Sequence, residues 1–406
     1  MSDISRRNFL IRSAALGCSA AASPLLTPMT LASAPGDARF VVIILRGAMD
    51  GLEVVRPAGD PLYQRYRPSL ADPTGTSDLD GFFTLNRHLA GLMPLWQKGE
   101  LAFAHAVATP YRNKRSHFDG QDMLEAGTGS DVGLHKMRDG WLNRMLGQVP
   151  GVSIKTAFAV GRADMKVLNG AVPVSSWAPD ARLDLTAQGQ RLLRALYQGD
   201  PAFRTAGDTA IELAALSGTE ASAPQDGAKM AMATMMKNPA RAARAGALAK
   251  FAAERLNEET RIAAFSIGGW DTHRTQANSI RRALGDLGDA LLGLRQTLGV
   301  NWQKTTVMAM TEFGRTAREN GSRGTDHGTG GVMVMAGGAI RGGRVYGRWP
   351  GLGESDLYQN RDLMPTRDVR AYAAHAMRAM YGLEQGLLER TVFPGLDMGD
   401  DPGILL

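Results

Sequence analysis

Cysteine is almost absent from this 406-residue chain, which has one, Cys18. No internal disulfide can staple it, so small disulfide scaffolds are excluded and stability has to come from an apolar core. Aromatic residues are few, at 6%, but 44% of the residues are apolar, a share that excludes a disordered chain. Charge of one sign is not in large excess either. A formal net charge of +6 is too mild to point to nucleic acid as a partner. After residue 34 no run is apolar enough to cross a bilayer, which takes roughly 20 residues, so no permanent membrane span is expected.

What is present begins with Ser5-Arg6-Arg7-Asn8-Phe9-Leu10, followed by a modestly apolar stretch from Ile11 to Leu31 and the small-residue run Ala32-Ser33-Ala34. Charged, apolar and small regions in that order form an export address, and the paired arginines give it the twin-arginine type. The expectation is a signal peptide over residues 1–34, a mature start at Pro35, the twin-arginine translocase as export partner, and a periplasmic or secreted location. Arg12, Pro24 and Pro28 interrupt the stretch and argue against a retained anchor. Cys18 lies inside this leader, and Ala15-Leu16-Gly17 before it lacks the leucine that a lipidated cysteine needs. Without the leader, 43 basic face 39 acidic residues.

Along the rest of the chain short β-rich runs alternate with helical patterns, as in an α/β fold with a mainly parallel sheet. Phe40 to Leu45 is apolar throughout, as a strand buried on both faces should be. Further strands are expected over Leu101 to Val107, Ile262 to Ile267, Thr305 to Met310 and Val332 to Met335. Helices are expected over Leu89 to Gln97, Gln276 to Leu298 and Asp368 to Tyr381. Residues from about 182 to 258 are rich in Ala, Leu and Met and read as a helical insertion, with Met230 to Met236 as core packing. The expected layout is one α/β domain over 35–406 that carries this insertion.

Polar residues gather where the strands end. The first strand runs into Arg46-Gly47-Ala48-Met49-Asp50-Gly51, the Ile262 strand into Gly268-Gly269-Trp270-Asp271-Thr272-His273, and the Thr305 strand into Thr311-Glu312-Phe313-Gly314-Arg315. Gly324-Thr325-Asp326-His327-Gly328-Thr329-Gly330-Gly331 precedes the next strand. In parallel sheets ligands bind beyond the carboxyl ends of the strands, so Asp50, Asp271, His273, Glu312, Asp326 and His327 are expected to converge. Carboxylates and imidazoles in one place repel or compete unless cations sit among them, and mixed O/N ligation suits zinc, manganese or iron. Taken singly, each acid reads better as a turn cap and each histidine as a satisfied polar residue, and it is the same arrangement after three strands that turns the reading toward a site.

These motifs together resemble the exported family named domain of unknown function 1501, over nearly the whole chain. That family is placed in the alkaline phosphatase and sulfatase superfamily, whose members carry two metals at the carboxyl edge of a sheet. The resemblance implies an alkaline-phosphatase-like three-layer sandwich and one or two divalent ions, zinc, manganese, magnesium or calcium. It implies that Asp50 holds one ion and that Asp271, His273 and His327 hold the other. Glu312 stands where the superfamily has an Asp-His pair, but Phe313 follows it, and Asp326-His327 is the alternative pair. The nucleophile's place falls on Ser116, within Arg112-Asn113-Lys114-Arg115-Ser116-His117-Phe118-Asp119. Arg112 and Arg115 stand beside it to bind oxyanions. Ser116-x-x-Asp119 also reads as a helix N-cap with a capping box. Arg46, Arg274 and Arg315 are candidate charge clamps. With no mature cysteine, a formylglycine sulfatase is excluded. The implied function is a metal-dependent hydrolase of phosphate or related esters, sulfate included, acting on an anionic small molecule or glycan. The alternative is an envelope protein of the same fold that binds a metal or an anionic glycan without turnover.

Overall fold

The computed structural model describes residues 36–129, 136–161, 164–177 and 245–406. The expected signal peptide, Cys18, Met230 to Met236 and the part of the expected helical insertion before residue 245 lie outside the described residues.

The central sheet is built from β1 (Arg39–Leu45), β2 (Leu101–Ala108), β3 (Ala157–Val160), β4 (Ser175–Trp177), β5 (Ile262–Ile267), β6 (Thr305–Thr311), β7 (Gly331–Ala336), β8 (Arg344–Tyr346) and β9 (Arg367–Asp368). Among the described residues their order is β8-β2-β7-β6-β1-β5-β3-β4, with β9 also paired to β2. All pairings are parallel except those of β7, which runs antiparallel to both β2 and β6. This is an α/β fold with a mainly parallel sheet, as the alternation of elements implied.

Every residue of β1 is buried, and its side chains serve the two faces in turn. Val41, Ile43 and Leu45 pack toward α4 (Ala245–Leu256) and α5 (Gln276–Leu298), whose buried stripe runs through Ile280, Leu284, Leu287, Leu291 and Leu294. Phe40, Val42 and Ile44 face the opposite core, with α3 (Trp141–Leu146) and α6 (Val369–Tyr381). The result is three layers, helices covering both faces of the sheet. Expected strands and helices fall within about two residues of those observed, apart from Leu89 to Gln97. That segment starts as a 3-10 turn, Arg87–Leu92, and turns α-helical only from Met93.

Register places the chemistry. Leu45 of β1 lies level with Ile267 of β5 and Thr311 of β6, so the loops after these three strands leave from one edge. The carboxyl end of β2 lies at the same edge and leads through residues 109–116 to α2 (His117–Ala126). Because β7 runs the other way, its start, and the Asp326-His327 loop before it, return to that edge. Five separate stretches of chain therefore meet there.

Candidate metal centre

The first side chain at this edge was not singled out in the sequence. His117 is the first residue of α2, directly after the N-cap Ser116. One ligand atom each from His117, Asp271 after β5 and His327 before β7 lie within 4.8 Å of one another, and the Nε2 atoms of His117 and His327 stand 3.5 and 3.2 Å from Asp271 Oδ1. His273 joins from the Asp271 loop, its Nε2 3.0 Å from Asp271 Oδ1 and 3.0 Å from His327 Nε2. Glycine makes this approach possible. Gly47 has φ 119°, and a Cβ on it would stand 2.7 Å from the Asp271 backbone nitrogen.

The outer nitrogens of the three imidazoles all face acceptors. His117 Nδ1 donates to Glu312 Oε1 at 2.8 Å, His273 Nδ1 to Asp326 Oδ1 at 3.2 Å and His327 Nδ1 to the Arg115 carbonyl at 2.9 Å. An Nδ1 that faces an oxygen acceptor carries the hydrogen, so each neutral ring offers its Nε2 lone pair inward. Carboxylates and carbonyls that fix histidine tautomers in this way are the outer partners of metal ligands. Two facing Nε2 lone pairs 3.0 Å apart repel unless a cation or a proton lies between them. Among the described residues the buried His117 Nε2 has no hydrogen-bond partner, and it stands 3.5 Å from Asp271 Oδ1. The donor set thus fits a divalent ion held by His117, Asp271 and His327, with His273 as a fourth donor.

Charge is arranged to match. Burial pushes the Asp271 carboxyl up, but the hydrogen bond and positive charge of Arg315 lead the contacts that outweigh it and hold the group at about 2. The hydrogen bond to Glu312 raises His117, whereas burial, helped by the nearby Arg315 charge, lowers His327. The side chain of Asp271 is 48% exposed, so the centre opens to solvent on that side.

Several sequence expectations need correction. Asp50 is no free ligand: its carboxylate N-caps α1 (Gly51–Val54), pairs bidentately with buried Arg67 at 2.6 and 3.1 Å, and accepts from Gln276. Glu312, fully buried, spends Oε1 on Gly47 N, Gln121 Nε2 and His117 Nδ1 and Oε2 on the Thr311 hydroxyl, so it is taken up by protein donors and braces His117 from behind. Asp326 does the same for His273. Arg315 is not a substrate clamp. Its guanidinium is buried and is used up on the carbonyls of Gly47, Ala48, Trp270 and Thr325 and on Asp271 Oδ1 at 2.6 Å. Arg46 pairs with Glu125 at 2.8 Å and bonds Gln121 and the Asp164 carbonyl, and Arg112 bonds the carbonyls of Thr109 and Tyr111. Arg274 is exposed.

Ser116 caps α2, its Oγ accepting from Asp119 N at 3.3 Å. It stands between Arg115, whose carbonyl holds His327, and His117, one of the three candidate donors. Arg115 has a left-handed backbone, φ 54°, and its half-buried side chain makes no hydrogen bond or ion pair with the described residues. Phe313 stacks on His117 at 5.3 Å and on Tyr111 at 5.8 Å, closing the floor of the centre.

A family model described as protein of unknown function (DUF1501) matches residues 97–392. No curated protein matches the chain. Among solved structures, the chain is similar to the lipoteichoic acid synthase LtaP from Listeria monocytogenes. Identity is 9%, coverage 91% of this chain and 77% of that one, and the TM-score 0.43. It is also similar to a protein in the alkaline phosphatase superfamily from Vibrio parahaemolyticus, at 12% identity, 85% and 67% coverage and TM-score 0.38. The alkaline phosphatase from the Antarctic bacterium TAB5 matches at 11% identity, 73% and 90% coverage and TM-score 0.31.

Proposed function

Because the chain belongs to the DUF1501 family, whose description names no reaction, its chemistry has to be read from its own side chains, and we propose that it is a metal-dependent hydrolase of phosphate or related esters. The observation that carries this reading is the inward set of three imidazole Nε2 atoms around Asp271 Oδ1, each ring held from behind by an oxygen acceptor. Three imidazoles favour zinc or manganese over magnesium or calcium, which prefer oxygen ligands. When bound, the ion supplies the positive charge that polarises an ester oxygen.

The chain's own groups do the rest. The amides at the start of α2 and the uncommitted Arg115 guanidinium draw the anionic group to the open side of Asp271. Ser116 Oγ attacks the phosphorus in line, its proton leaving to solvent or a neighbouring base. The phosphorus–oxygen bond to the alcohol breaks, the alcohol oxygen departs with the electron pair and takes a proton, and water then frees the phosphate from the serine. Glu312 holds His117 throughout.

Ser116→Ala separates the roles. Turnover of a generic phosphate ester should vanish while bound metal stays near the wild-type level. Full activity in Ser116→Ala would remove the serine from the chemistry and leave it as a helix cap. The second reading, binding without turnover, draws on Phe313, which fills one wall of the centre with an apolar ring. Export through the twin-arginine route to the periplasm or beyond belongs to the same proposal, with an anionic small molecule or glycan as the substrate.

A further inference from the structure

The residues expected to hold a second ion are already committed to partners within the protein. Asp50, at the end of β1, is the residue the resemblance assigned to the other metal. Its two oxygens take both outer nitrogens of Arg67, the Leu52 amide and the Gln276 amide. Arg67 is fully buried, and its remaining N–H groups donate to the carbonyls of Thr316 and Ala317 just beyond the Glu312 turn. An ion at Asp50 would have to displace a guanidinium that has no route to water, leaving a buried charge without its counterion.

Gln276 extends this node to the ligands. Its Oε1 accepts from the hydroxyls of Thr272, at 3.0 Å, and Thr325, at 2.6 Å. Thr272 sits between Asp271 and His273, and Thr325 sits next to Asp326-His327. Both ligand-bearing loops are thus tied to Asp50 and Arg67 through one side chain.

The charges point the same way. Three carboxylates, Asp271, Glu312 and Asp326, contact the imidazoles directly. Arg315 offsets one of them, pairing with Asp271. Counted over the charged side chains in contact with the imidazoles, two negative charges remain, which is what one divalent ion neutralises. The Asp50–Arg67 pair balances itself. A second divalent ion would leave two positive charges next to a buried guanidinium.

We propose that this centre takes a single divalent ion, with Arg67 serving as a built-in cation where Asp50 would otherwise demand a second. The inference rests on the metal-site reading above and deepens it by fixing the stoichiometry.

The test is a count. The full mature chain is loaded with excess zinc or, separately, manganese, and desalted. Metal is then measured by elemental mass spectrometry and by native mass spectrometry. One ion per folded chain is the expected result, falling well below one in His117→Ala and staying at one in a folded Asp50→Asn. Two ions per wild-type chain, one of them lost in Asp50→Asn, would overturn the single-ion inference and leave the metal reading intact. No ion at any loading would overturn the metal reading itself. The wild-type count decides between one and two even if Asp50→Asn does not fold.

Discussion

At the residue scale the centre depends on what each polar atom faces. His117 was legible only as part of a helix start, because an imidazole in a first helical turn has no spacing signature. Its role emerges when Glu312, from a strand 195 residues away in sequence, takes its Nδ1. Asp50 misled in the opposite direction. A carboxylate after a buried strand looks like a ligand in sequence, and nothing there shows that Arg67 folds back onto it. The difference is testable by stability. Asp50→Ala strands a fully buried guanidinium and should cost roughly 3 to 5 kcal/mol, measured by denaturant unfolding. His117→Ala, in a half-buried and solvent-facing position, should cost far less stability but release the metal. A second residue-scale outcome concerns pH. Imidazoles bind metal only when neutral, and Glu312 raises the affinity of His117 for a proton, so acid competes with the ion first at that residue. Metal should leave as pH falls through the histidine range, between about 8 and 5. Asp271, held at about 2, remains ionised throughout. Release that instead begins only near pH 2 would assign the loss to the carboxylate.

At the element scale the long patterns were readable and the short ones were not. β1, β2, β5 and β7 each have six or more residues that are almost all apolar, β6 has an apolar centre between threonines, and α5 shows a full helical stripe. β3, β4 and β8 have four, three and three residues, too few for any period to show. The antiparallel direction of β7 was also hidden, since residue pattern does not encode strand direction. That direction is nevertheless what carries His327 back to the edge where His117 and Asp271 wait. The tight meeting of the β1 and β5 loops gives an element-scale prediction. Gly47→Ala imposes a side chain at φ 119° and within 2.7 Å of the Asp271 nitrogen, so the two loops must part. The variant should lose more than about 1 kcal/mol of stability and bind metal more weakly than wild type in a calorimetric titration. Unchanged metal affinity would mean that the Asp271 loop does not need this contact.

At the scale of the whole molecule the reading joins an export address, an α/β sheet with three layers and a histidine-rich centre at its carboxyl edge. The proposed export address has a test of its own. Replacing Arg6 and Arg7 by lysine should leave folded precursor in the cytoplasm, followed by cell fractionation, and undiminished export of that variant would remove the twin-arginine route. Purified mature protein, its Asp271→Ala variant and a chelator-treated sample are assayed side by side on generic phosphate and sulfate esters, with zinc, manganese, magnesium or calcium added back. The account predicts turnover of a phosphate ester by the wild type, lost on chelation, restored by zinc or manganese, and absent in Asp271→Ala at every metal concentration. Metal bound at the centre with no turnover of any ester, or turnover indifferent to chelation and to Asp271, would contradict it.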